Sequence, residues 1–490
     1  MAKPVARPGL VIAALASAGI SSAFTQTMVT PLVALLPGIF DTTSDNTTWI
    51  FTATLLAAAV AVPISGRLGD LFGKRRMMLL LALPLTIGAI ICALAPSLQV
   101  MILGRALQGL GSGMVPLGIA LLRDVVPKER LSSAIATVSS TLGAGAAIGL
   151  PISAALIEFS SWRVLFWAAA IVSGLIALTI WRVVPDVPAG AGGQRFDGIG
   201  AAGLAVGLVS LILGISKGSS WGWSSPLTLG LLVSAVIVLV LWGTWELRTS
   251  DPLIDLRTTA RPRVLLTNIA SIFVGFGMYA SSLVFPQVLQ LSTATGYGLG
   301  QSILAAGLWL APAGLMMLVL SPVGGRMSDA RGPKFTFLLG VVILAAGYGV
   351  ALLAMSHAWG ILLAGLVVNS GVAFAYGAMP AIIMSSVPHS ETAAANGFNT
   401  LMRSLGTSIG SVIVGIVLAQ MTIQLDGIAV PSEAGFHMVL AIGIGIALIA
   451  AVIVAFIPAI KTPSAPVLVD AVSADDEPGQ HELVGVGTRN

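Results

Sequence analysis

Charged side chains are scarce in this sequence. Only 9% of its 490 residues are Asp, Glu, Lys or Arg, whereas 56% are hydrophobic. A soluble domain carries about a quarter charged residues, so a water-exposed fold of this composition would present large apolar surfaces to water. The composition therefore excludes an ordinary soluble protein and predicts that lipid surrounds most of the chain.

Signatures of catalysis and of metal binding are also missing. The single cysteine, Cys92, lies in an apolar run and cannot build a disulfide framework. No GxxxxGK[ST] phosphate loop, no Cys/His cluster with metal spacing and no Ser–His triad pattern occurs. We therefore expect no cofactor, no metal, no nucleic-acid partner and no enzyme. The rival enzyme class, a lipid-modifying membrane enzyme, would need His or carboxylate groups gathered at one interface, which the sequence does not supply.

Long hydrophobic runs recur along the whole chain. A helix crosses the hydrocarbon of a bilayer with about 20 apolar residues. By this measure we predict 14 transmembrane helices, at residues 10–36, 49–66, 77–97, 101–122, 132–157, 164–182, 198–215, 226–246, 264–289, 301–321, 335–355, 358–385, 394–420 and 435–458.

The cations of the sequence favour one orientation. With a cytoplasmic N-terminus, Arg163 and Lys217 alone lie outside and Arg105 and Arg403 lie within spans, so the other Lys and Arg residues are all inside. Cytoplasmic loops of membrane proteins carry such an excess. We therefore predict a multi-pass inner-membrane protein with both termini in the cytoplasm.

One short pattern occurs twice, each time after an apolar run. The copies read GRLGDLFGKRR (66–76) and GGRMSDARGPK (324–334). Glycine permits positive φ and close backbone approach, and Asp can accept from a helix N-terminus or pair with an Arg of another domain. Because the inside-positive rule would not explain the matched Asp and Gly, the repeat predicts two similar halves that rock about a midplane site. We interpret both copies as gating loops, with the matched residues Gly66, Arg67, Asp70, Gly73 and Arg75 in the first and Gly325, Arg326, Asp329, Gly332 and Lys334 in the second.

These motifs resemble those of the major facilitator superfamily. GRLGDLFGKRR is similar to its signature loop, and GGRMSDARGPK to the weaker counterpart in the second half. LGRALQGLGSG (103–113) resembles its membrane-embedded Arg motif. LGAGAAIGLPISAAL (142–156) resembles its antiporter motif, although Gly149 and Pro151 are separated here where the family has an adjacent pair. The segments SWRVLFW, RFDGIGAAGL, DPLIDLR and RSLGTSIGS are similar to the fourteen-span drug:proton antiporters.

The resemblance implies an all-α polytopic membrane protein with the major facilitator fold. Its two six-helix bundles would occupy residues 1–190 and 251–460, with two extra central helices at 191–250. The polar, Pro-rich residues 461–490 are expected to form a disordered cytoplasmic tail. By the same resemblance, Gly149 and Pro151 are expected to act in gating.

Ionisable residues are almost absent from the middle of the predicted spans. Arg105 and Arg403 are the exceptions, and such residues are functional candidates because burying them is costly. The family usually has an Asp in its first helix, whereas the best polar match here is Gln26, which cannot carry a proton. We expect Arg105 and Gln26 to hydrogen-bond, and Arg105 to act in proton coupling with Glu158 or Asp41. The alternative is that both carboxylates are hydrated groups at the membrane rim.

The predicted spans contain polar side chains that could anchor a substrate and apolar side chains that could adapt to it. Amphipathic cargo needs an apolar cavity with a few polar groups, and Met and aromatic side chains adapt to varied ligands. Ordinary packing is the alternative role for each of them. The candidates are Gln26, Thr30, Met114, Met278, Tyr279, Gln287, Trp309, Asn369, Phe374, Tyr376 and Arg403.

The sequence as a whole predicts a monomeric inner-membrane exporter of amphipathic small molecules. We expect alternating access and proton-coupled multidrug efflux. The alternative is a flippase-like exporter of lipids or anionic metabolites, which the excess of buried cations over buried acids favours. A receptor or scaffold without flux is a third possibility, against which the paired gating loops argue.

Overall fold

The structure, a computed structural model, is helical almost throughout. The predicted tail at 461–490 lies outside the residues that it describes, as does the basic N-terminal segment. The described residues are 8–32, 35–189, 191, 193–425 and 428–458.

In the described part of the chain before residue 190 there are nine helices. Gly73, at φ 98°, separates the fourth from the fifth, and Ser161 caps the ninth by accepting from a backbone N–H. These helices are α1 (Pro8–Thr27), α2 (Leu36–Ile39), α3 (Ser44–Thr47), α4 (Trp49–Phe72), α5 (Lys74–Leu94), α6 (Leu98–Leu110), α7 (Met114–Val125), α8 (Lys128–Phe159) and α9 (Trp162–Val183).

Nine more helices follow among the residues described between 191 and 458. Asp197, Ser225, Asp255, Ser302 and Ser432 precede helices and accept from backbone N–H groups of the first turn. These helices are α10 (Gly198–Trp221), α11 (Pro226–Glu246), α12 (Leu256–Thr259), α13 (Pro262–Gln290), α14 (Ile303–Arg331), α15 (Pro333–Ala354), α16 (Ala358–Met384), α17 (Thr392–Gln420) and α18 (Glu433–Ala455).

A β-hairpin joins α17 to α18, which the sequence did not predict. Strands β1 (Thr422–Leu425) and β2 (Ile428–Pro431) pair antiparallel, with Thr422 opposite Pro431. Short 3-10 turns occupy Thr30–Leu32, Gly111–Gly113, Thr293–Thr295 and His389–Glu391. The turn at 111–113 connects α6 and α7, which together form the fourth predicted span.

Thirteen helical segments of the described chain are long and apolar enough to cross a membrane. The remaining predicted span, 132–157, coincides with α8, which is 32 residues long but is not among the thirteen. The structure therefore agrees with a polytopic α-helical fold, and the number fourteen stays a prediction. The domain boundaries at 190 and 250 stay predictions as well.

The first predicted span is too long. The sequence suggested one helix over 10–36, but α1 ends at Thr27 and is followed by a 3-10 turn and the short α2. Pro31 and Pro37 lie in these two short elements. A proline lacks the backbone donor and clashes with the preceding turn, so it ends a regular helix here.

The two repeated motifs are not loops. α4 runs through Gly66, Arg67 and Asp70 to Phe72, and α14 likewise runs through the second copy to Arg331. Nothing between residues 66 and 72 breaks a helix, and a helix satisfies its own backbone groups near the lipid. Only Gly73 and its counterpart Gly332 interrupt the chain direction, at φ 98° and 87°.

Buried apolar clusters show which helices are packed together. One cluster draws on α13 to α18, and a second joins α1, α5, α7, α8 and α9 to Ala381, Met384 and Ala393 of the second half. A third joins α10 and α11 to α4 and α17 through Leu204, Trp242 and Leu401, among others. The two halves therefore share a core at the ends of α16 and α17.

Candidate functional site

Both copies of the motif lie at one end of the helix bundle, which we call the motif end. There α4 turns into α5 at Gly73, and α14 turns into α15 at Gly332. The start of α17 packs against Gly66, and the start of α8 packs against Gly325. Each motif therefore contacts a helix of the opposite half of the chain near the start of that helix.

The Asp70 carboxylate caps the N-terminus of α17. Its Oδ2 accepts from the backbone N–H of Ala393 at 3.0 Å and of Ala394 at 2.9 Å, and the side chain is fully buried. A carboxylate at this position satisfies free amides and complements the positive end of the helix dipole. Of the two partners that the sequence left open for the motif Asp, a helix N-terminus or an Arg of another domain, Asp70 binds the helix N-terminus, and the bond crosses between the halves.

Gly66 and Gly325 are required for close helix contact rather than for a turn. A Cβ on Gly66 would lie 2.5 Å from the Ala393 carbonyl oxygen, and one on Gly325 would lie 2.3 Å from the Ser133 Cα. Both neighbouring atoms belong to backbone, so neither can give way as a flexible side chain can. The motif glycines therefore allow α4 to touch α17, and α14 to touch α8.

Gly66→Val tests this close approach. The larger side chain should separate α4 from α17 and lower transport by about tenfold, since overpacking a tight contact costs about 1–3 kcal/mol. Flux per inserted molecule in proteoliposomes is the measurement. Gly230→Val is the matched control, because a Cβ on that helical glycine meets nothing within 4 Å. Equal flux in both variants would show that the close contact is dispensable.

A charged network surrounds Asp70, and sequence reasoning missed most of it. Lys74 is buried and donates to Asp124 Oδ2 at 2.7 Å, while its Nζ lies 3.8 Å from Asp70 Oδ1. Arg123 donates to the Thr392 hydroxyl at 2.7 Å and to the Val387 carbonyl at 3.2 Å. Arg123 and Asp124 are adjacent and of opposite charge at the end of a predicted span, which is the signal that could have identified them.

The second copy of the motif is more exposed than the first. Arg67 is 3% exposed and lines a cavity of about 80 Å³ with Glu391, and its Nε has no hydrogen-bond partner in the described chain. Asp329 and Arg326 are exposed, and the Asp329 carboxylate lies beside the Ser132 side chain. The first copy therefore carries the buried charges of this end.

The cations at the end of each motif bind helix ends within their own half. Arg75 donates through Nη2 to the carbonyl oxygen of Trp181, at the end of α9. Lys334 donates to the carbonyl oxygen of Ala455 at 2.8 Å, at the end of α18. Cations stabilise the negative ends of helix dipoles. These two residues thus anchor α5 and α15 rather than joining the halves.

Gly149 and Pro151 of the antiporter-like segment lie between helices of both halves. A Cβ on Gly149 would lie 2.4 Å from the Thr27 hydroxyl oxygen of α1. Pro151, inside α8, would lie 3.6 Å from a Cβ on Gly307 of α14. The segment therefore contacts α1 on one side and α14 on the other, and its gating role stays a prediction.

Arg105 is fully buried and bonds only neutral acceptors. Its Nη1 donates to the Thr25 carbonyl oxygen at 2.9 Å and to Gln108 Oε1 at 2.7 Å, and no carboxylate of the described chain pairs with it. The expected bond to Gln26 is wrong, since that side chain is exposed. Neighbouring side chains point about 100° apart on a helix, so the backbone of Thr25 meets the guanidinium while Gln26 faces elsewhere.

Three of the predicted substrate residues come together, and Arg403 is one of them. The guanidinium carbon lies 4.6 Å from the centre of the Tyr376 ring, and the Tyr376 hydroxyl donates to Met278 Sδ at 2.9 Å. Arg403 also donates to the Thr400 hydroxyl at 3.2 Å. A Cβ on Gly275 would lie 2.3 Å from the Arg403 carbonyl oxygen, so α13 and α17 touch here. Like Arg105, Arg403 is buried without a carboxylate partner in the described chain.

A pair of buried amides lies one helical turn before Arg403. Asn399 donates through Nδ2 to Asn268 Oδ1 at 3.0 Å and to the Ser271 hydroxyl at 2.7 Å. Asn399 Oδ1 and Asn268 Nδ2 have no partner among the described residues. The sequence analysis missed both, although an Asn four residues before a buried Arg on one helix face is a readable signal.

The other predicted site residues differ in exposure. Asp41 is exposed, with φ 45°, and lines a cavity of about 630 Å³, and Glu158 is exposed in the last turn of α8. Neither forms an ion pair within the described chain. Of the remaining substrate candidates, Gln26 and Thr30 are exposed, Tyr279, Gln287, Trp309 and Asn369 are half-buried, and Met114 and Phe374 are buried.

Comparisons with known proteins match most of the chain. The model of the Major Facilitator Superfamily matches residues 15–411 and 267–471. A multidrug resistance protein B homolog of Mycobacterium tuberculosis is 29% identical over 392 residues, covering 77% of this chain and 70% of that protein. The tetracenomycin C resistance and export protein of Streptomyces glaucescens is 29% identical over 385 residues, covering 76% and 68%.

Solved structures agree on the fold. The human organic anion transporter TETRAN superposes with a TM-score of 0.64 at 15% identity, covering 92% of this chain and 100% of that one. The proton:xylose symporter XylE superposes with a TM-score of 0.62 at 14% identity, covering 92% and 96%. At such identities the likeness concerns architecture alone. Because the family model covers most of a chain with thirteen apolar spanning helices, this multi-pass membrane protein belongs to the Major Facilitator Superfamily of transporters.

Proposed function

We propose that this protein is an inner-membrane exporter of amphipathic small molecules that works by alternating access. The observation that carries this proposal is the cap that Asp70 places on α17, because it joins the two halves through a bond that can be made and broken. Relatives named for multidrug resistance and for export of tetracenomycin C support the direction and the class of cargo. In this proposal the motif end faces the cytoplasm, both termini are cytoplasmic and the protein acts as a monomer.

The network at the motif end would hold the cytoplasmic side closed. Asp70 and Arg123 bind the start of α17 and the segment before it, and Gly66 allows the two helices to touch. Opening toward the cytoplasm would break these bonds and expose buried charges, and this cost stabilises the closed form. Alternating access then consists of exchanging this contact for one at the opposite end.

Cargo would bind near the Arg403 group, which offers a cation, an aromatic face and a thioether. Arg403, Tyr376 and Met278 lie in contact, and the unpaired amide atoms of Asn399 and Asn268 are one turn away. A buried guanidinium without a carboxylate is disfavoured unless a partner with acceptor or negative character is present. We therefore infer that neutral and anionic amphiphiles are preferred to dications.

The second candidate function is export of lipids or anionic metabolites in a flippase-like manner. Arg105 and Arg403 favour it, because both are buried guanidinium groups without an acidic partner in the described chain. An anionic headgroup could pair with either of them. Flux measured for a matched series of cationic, neutral and anionic cargo separates this function from multidrug efflux.

Proteoliposome flux with an imposed pH gradient tests the proposed function. We expect outward transport of neutral and anionic amphiphiles that is faster with the gradient than without it. Absence of flux for a matched cationic, neutral and anionic series would contradict the exporter assignment. Flux of fluorescent anionic lipids, with no transport of soluble amphiphiles, would support the flippase-like function instead.

Glu158→Gln tests proton coupling in the same assay. Glu158 is our leading candidate for the carboxylate that replaces the missing acid of the first span, and its side chain is exposed. The variant should transport equally fast with and without the gradient, because an amide cannot carry the proton. Asp41→Asn is the matched comparison for the second candidate. Full gradient dependence in Glu158→Gln would leave Glu158 as a solvated rim residue.

A further inference from the structure

Two carboxylates meet between α10 and α11, away from the site described above. Asp197 precedes α10, where its Oδ1 accepts from the Gly200 N–H at 2.8 Å and its Oδ2 from Trp245 Nε1 at 2.9 Å. Glu246 ends α11, where its Oε2 accepts from the Ile254 N–H at 3.4 Å. The side chains are 9% and 2% exposed, respectively.

The position of Gly200 shows how near the two carboxylates are. A Cβ on Gly200 would lie 2.3 Å from Asp197 Oδ2 and 2.5 Å from Glu246 Oε1. Both oxygens therefore face one small gap, and their separation is no greater than these two distances together. Two ionised carboxylates at this range repel each other strongly where water is excluded, and binding one proton between them removes the repulsion.

No Lys or Arg of the described chain is paired with either carboxylate of this gap, so no positive charge compensates a second negative one. Oε1 of Glu246 has no hydrogen-bond donor, and neither Asp197 nor Glu246 forms an ion pair with a Lys or Arg. One turn earlier on α11, the neutral Trp242 indole lies beside the Glu246 carboxylate without a well-formed hydrogen bond to it. The neighbouring side chains of this core, including Leu204 and Leu253, are apolar. A buried acceptor oxygen that faces another carboxylate in apolar surroundings is stabilised by binding a proton.

The other charged groups of the surrounding segments are exposed or bind other partners. Arg195 and Arg248 are exposed, and Arg257 donates to the Leu247 carbonyl oxygen at 2.8 Å. Asp251 accepts from the Arg195 N–H, and Asp255 caps α12. Arg67 and Glu391 line the small cavity of the motif end. Ile254, in the linker between α11 and α12, lines the same cavity.

We propose that Asp197 and Glu246 share one bound proton, so that the α10–α11 hairpin contains a proton-binding site. The protonated Oε1 of Glu246 donates toward Asp197, while Oε2 holds the Ile254 N–H of the following linker. Loss of the proton leaves two like charges in the gap and loosens the hairpin and this linker. Proton binding at this site is thus linked to the segment around Ile254, which lines the cavity beside Arg67.

Infrared spectroscopy of the purified full-length protein in nanodiscs detects this proton directly. A protonated carboxyl group has a C=O stretching band that a carboxylate lacks, and the band shifts in heavy water. At neutral pH, we expect the Glu246→Gln variant to lack the band intensity that one protonated carboxyl group contributes in wild-type protein. Asp251→Asn is the matched control, since that carboxylate is half-buried and accepts from the Arg195 backbone N–H, and it should leave the band unchanged. An unchanged band in Glu246→Gln would overturn the proposal.

The pH dependence of the melting temperature gives an independent readout. The folded pair holds a proton that the unfolded chain releases, so wild-type stability should fall as the pH rises from about 4.3, where an unfolded Glu releases its proton, until the folded pair releases its own. Glu246→Gln supplies a permanent N–H donor, and its melting temperature should lose this dependence, whereas Asp251→Asn should behave as wild type. Asp197→Asn, which keeps a cap acceptor, should flatten the profile in the same way and serves if the first variant does not fold.

A metal cation is the competing occupant of the gap. If added Na⁺ or Mg²⁺ stabilises wild-type protein at alkaline pH but not Glu246→Gln, the site binds a cation and the proton assignment is wrong. Stabilisation that is equal in both proteins, together with the loss of the infrared band, supports the proton.

Discussion

Asp70→Asn is expected to abolish most transport while leaving the protein inserted in the membrane. The carboxylate accepts from two backbone N–H groups at the start of α17, and hydrogen bonds to charged groups contribute about 1.5–3 kcal/mol. An amide keeps one acceptor atom but loses the charge that complements the helix dipole. The closed form of the motif end should lose population, and flux should fall about tenfold or more.

Asp329→Asn is the matched control for this prediction. It changes the equivalent residue of the second motif, which is exposed and contacts the Ser132 side chain rather than a buried helix end. Its effect on flux should be at most about threefold, as expected for an exposed polar contact. Flux per inserted molecule and spin-label distances across the motif end are the measurements. Normal transport by Asp70→Asn would show that the cap does not control access.

Arg403→Ala should change cargo preference more than it changes overall transport. Removing the guanidinium takes away the positive charge and the group stacked on Tyr376. Transport of an anionic amphiphile should fall about tenfold, as expected for loss of a desolvated charge pair, whereas a neutral analogue should lose no more than about threefold. Wild-type protein should transport permanent dications more slowly than either.

Arg403→Lys separates charge from geometry in the same assay. Lysine keeps the positive charge but lacks the planar group that lies on the Tyr376 ring. It should restore part of the anion transport that the alanine variant loses. Efficient export of dications that is unaffected by Arg403→Ala would contradict the proposed preference for anions. It would support multidrug efflux of cationic compounds instead.

Local chemistry alone was enough to predict much of this molecule. The apolar runs predicted helices that the structure contains, because a bilayer-sized helix is specified by its own composition. The positive φ of Gly73 and Gly332 and the acceptor role of Asp70 also followed from residue type and from the repeat. The motifs predicted the superfamily for the same reason, since each motif is a short continuous stretch.

Other features depended on which helices touch. The extent of α4 past Gly66, the bond between Arg105 and Thr25, and the grouping of Arg403 with Tyr376 and Met278 all follow from packing between distant segments. Periodicity tells which residues share a helix face but not which helix that face meets. The Gln26 expectation failed for this reason.

The sequence by itself therefore determined the membrane class, the positions of most helices and the motif residues, because these properties are local along the chain. Only the tertiary structure decided that Asp70 meets the start of α17 and that Asp197 meets Glu246. Those contacts join residues 323 and 49 positions apart. Their energies depend on burial and on the absence of competing partners, which no stretch of sequence contains.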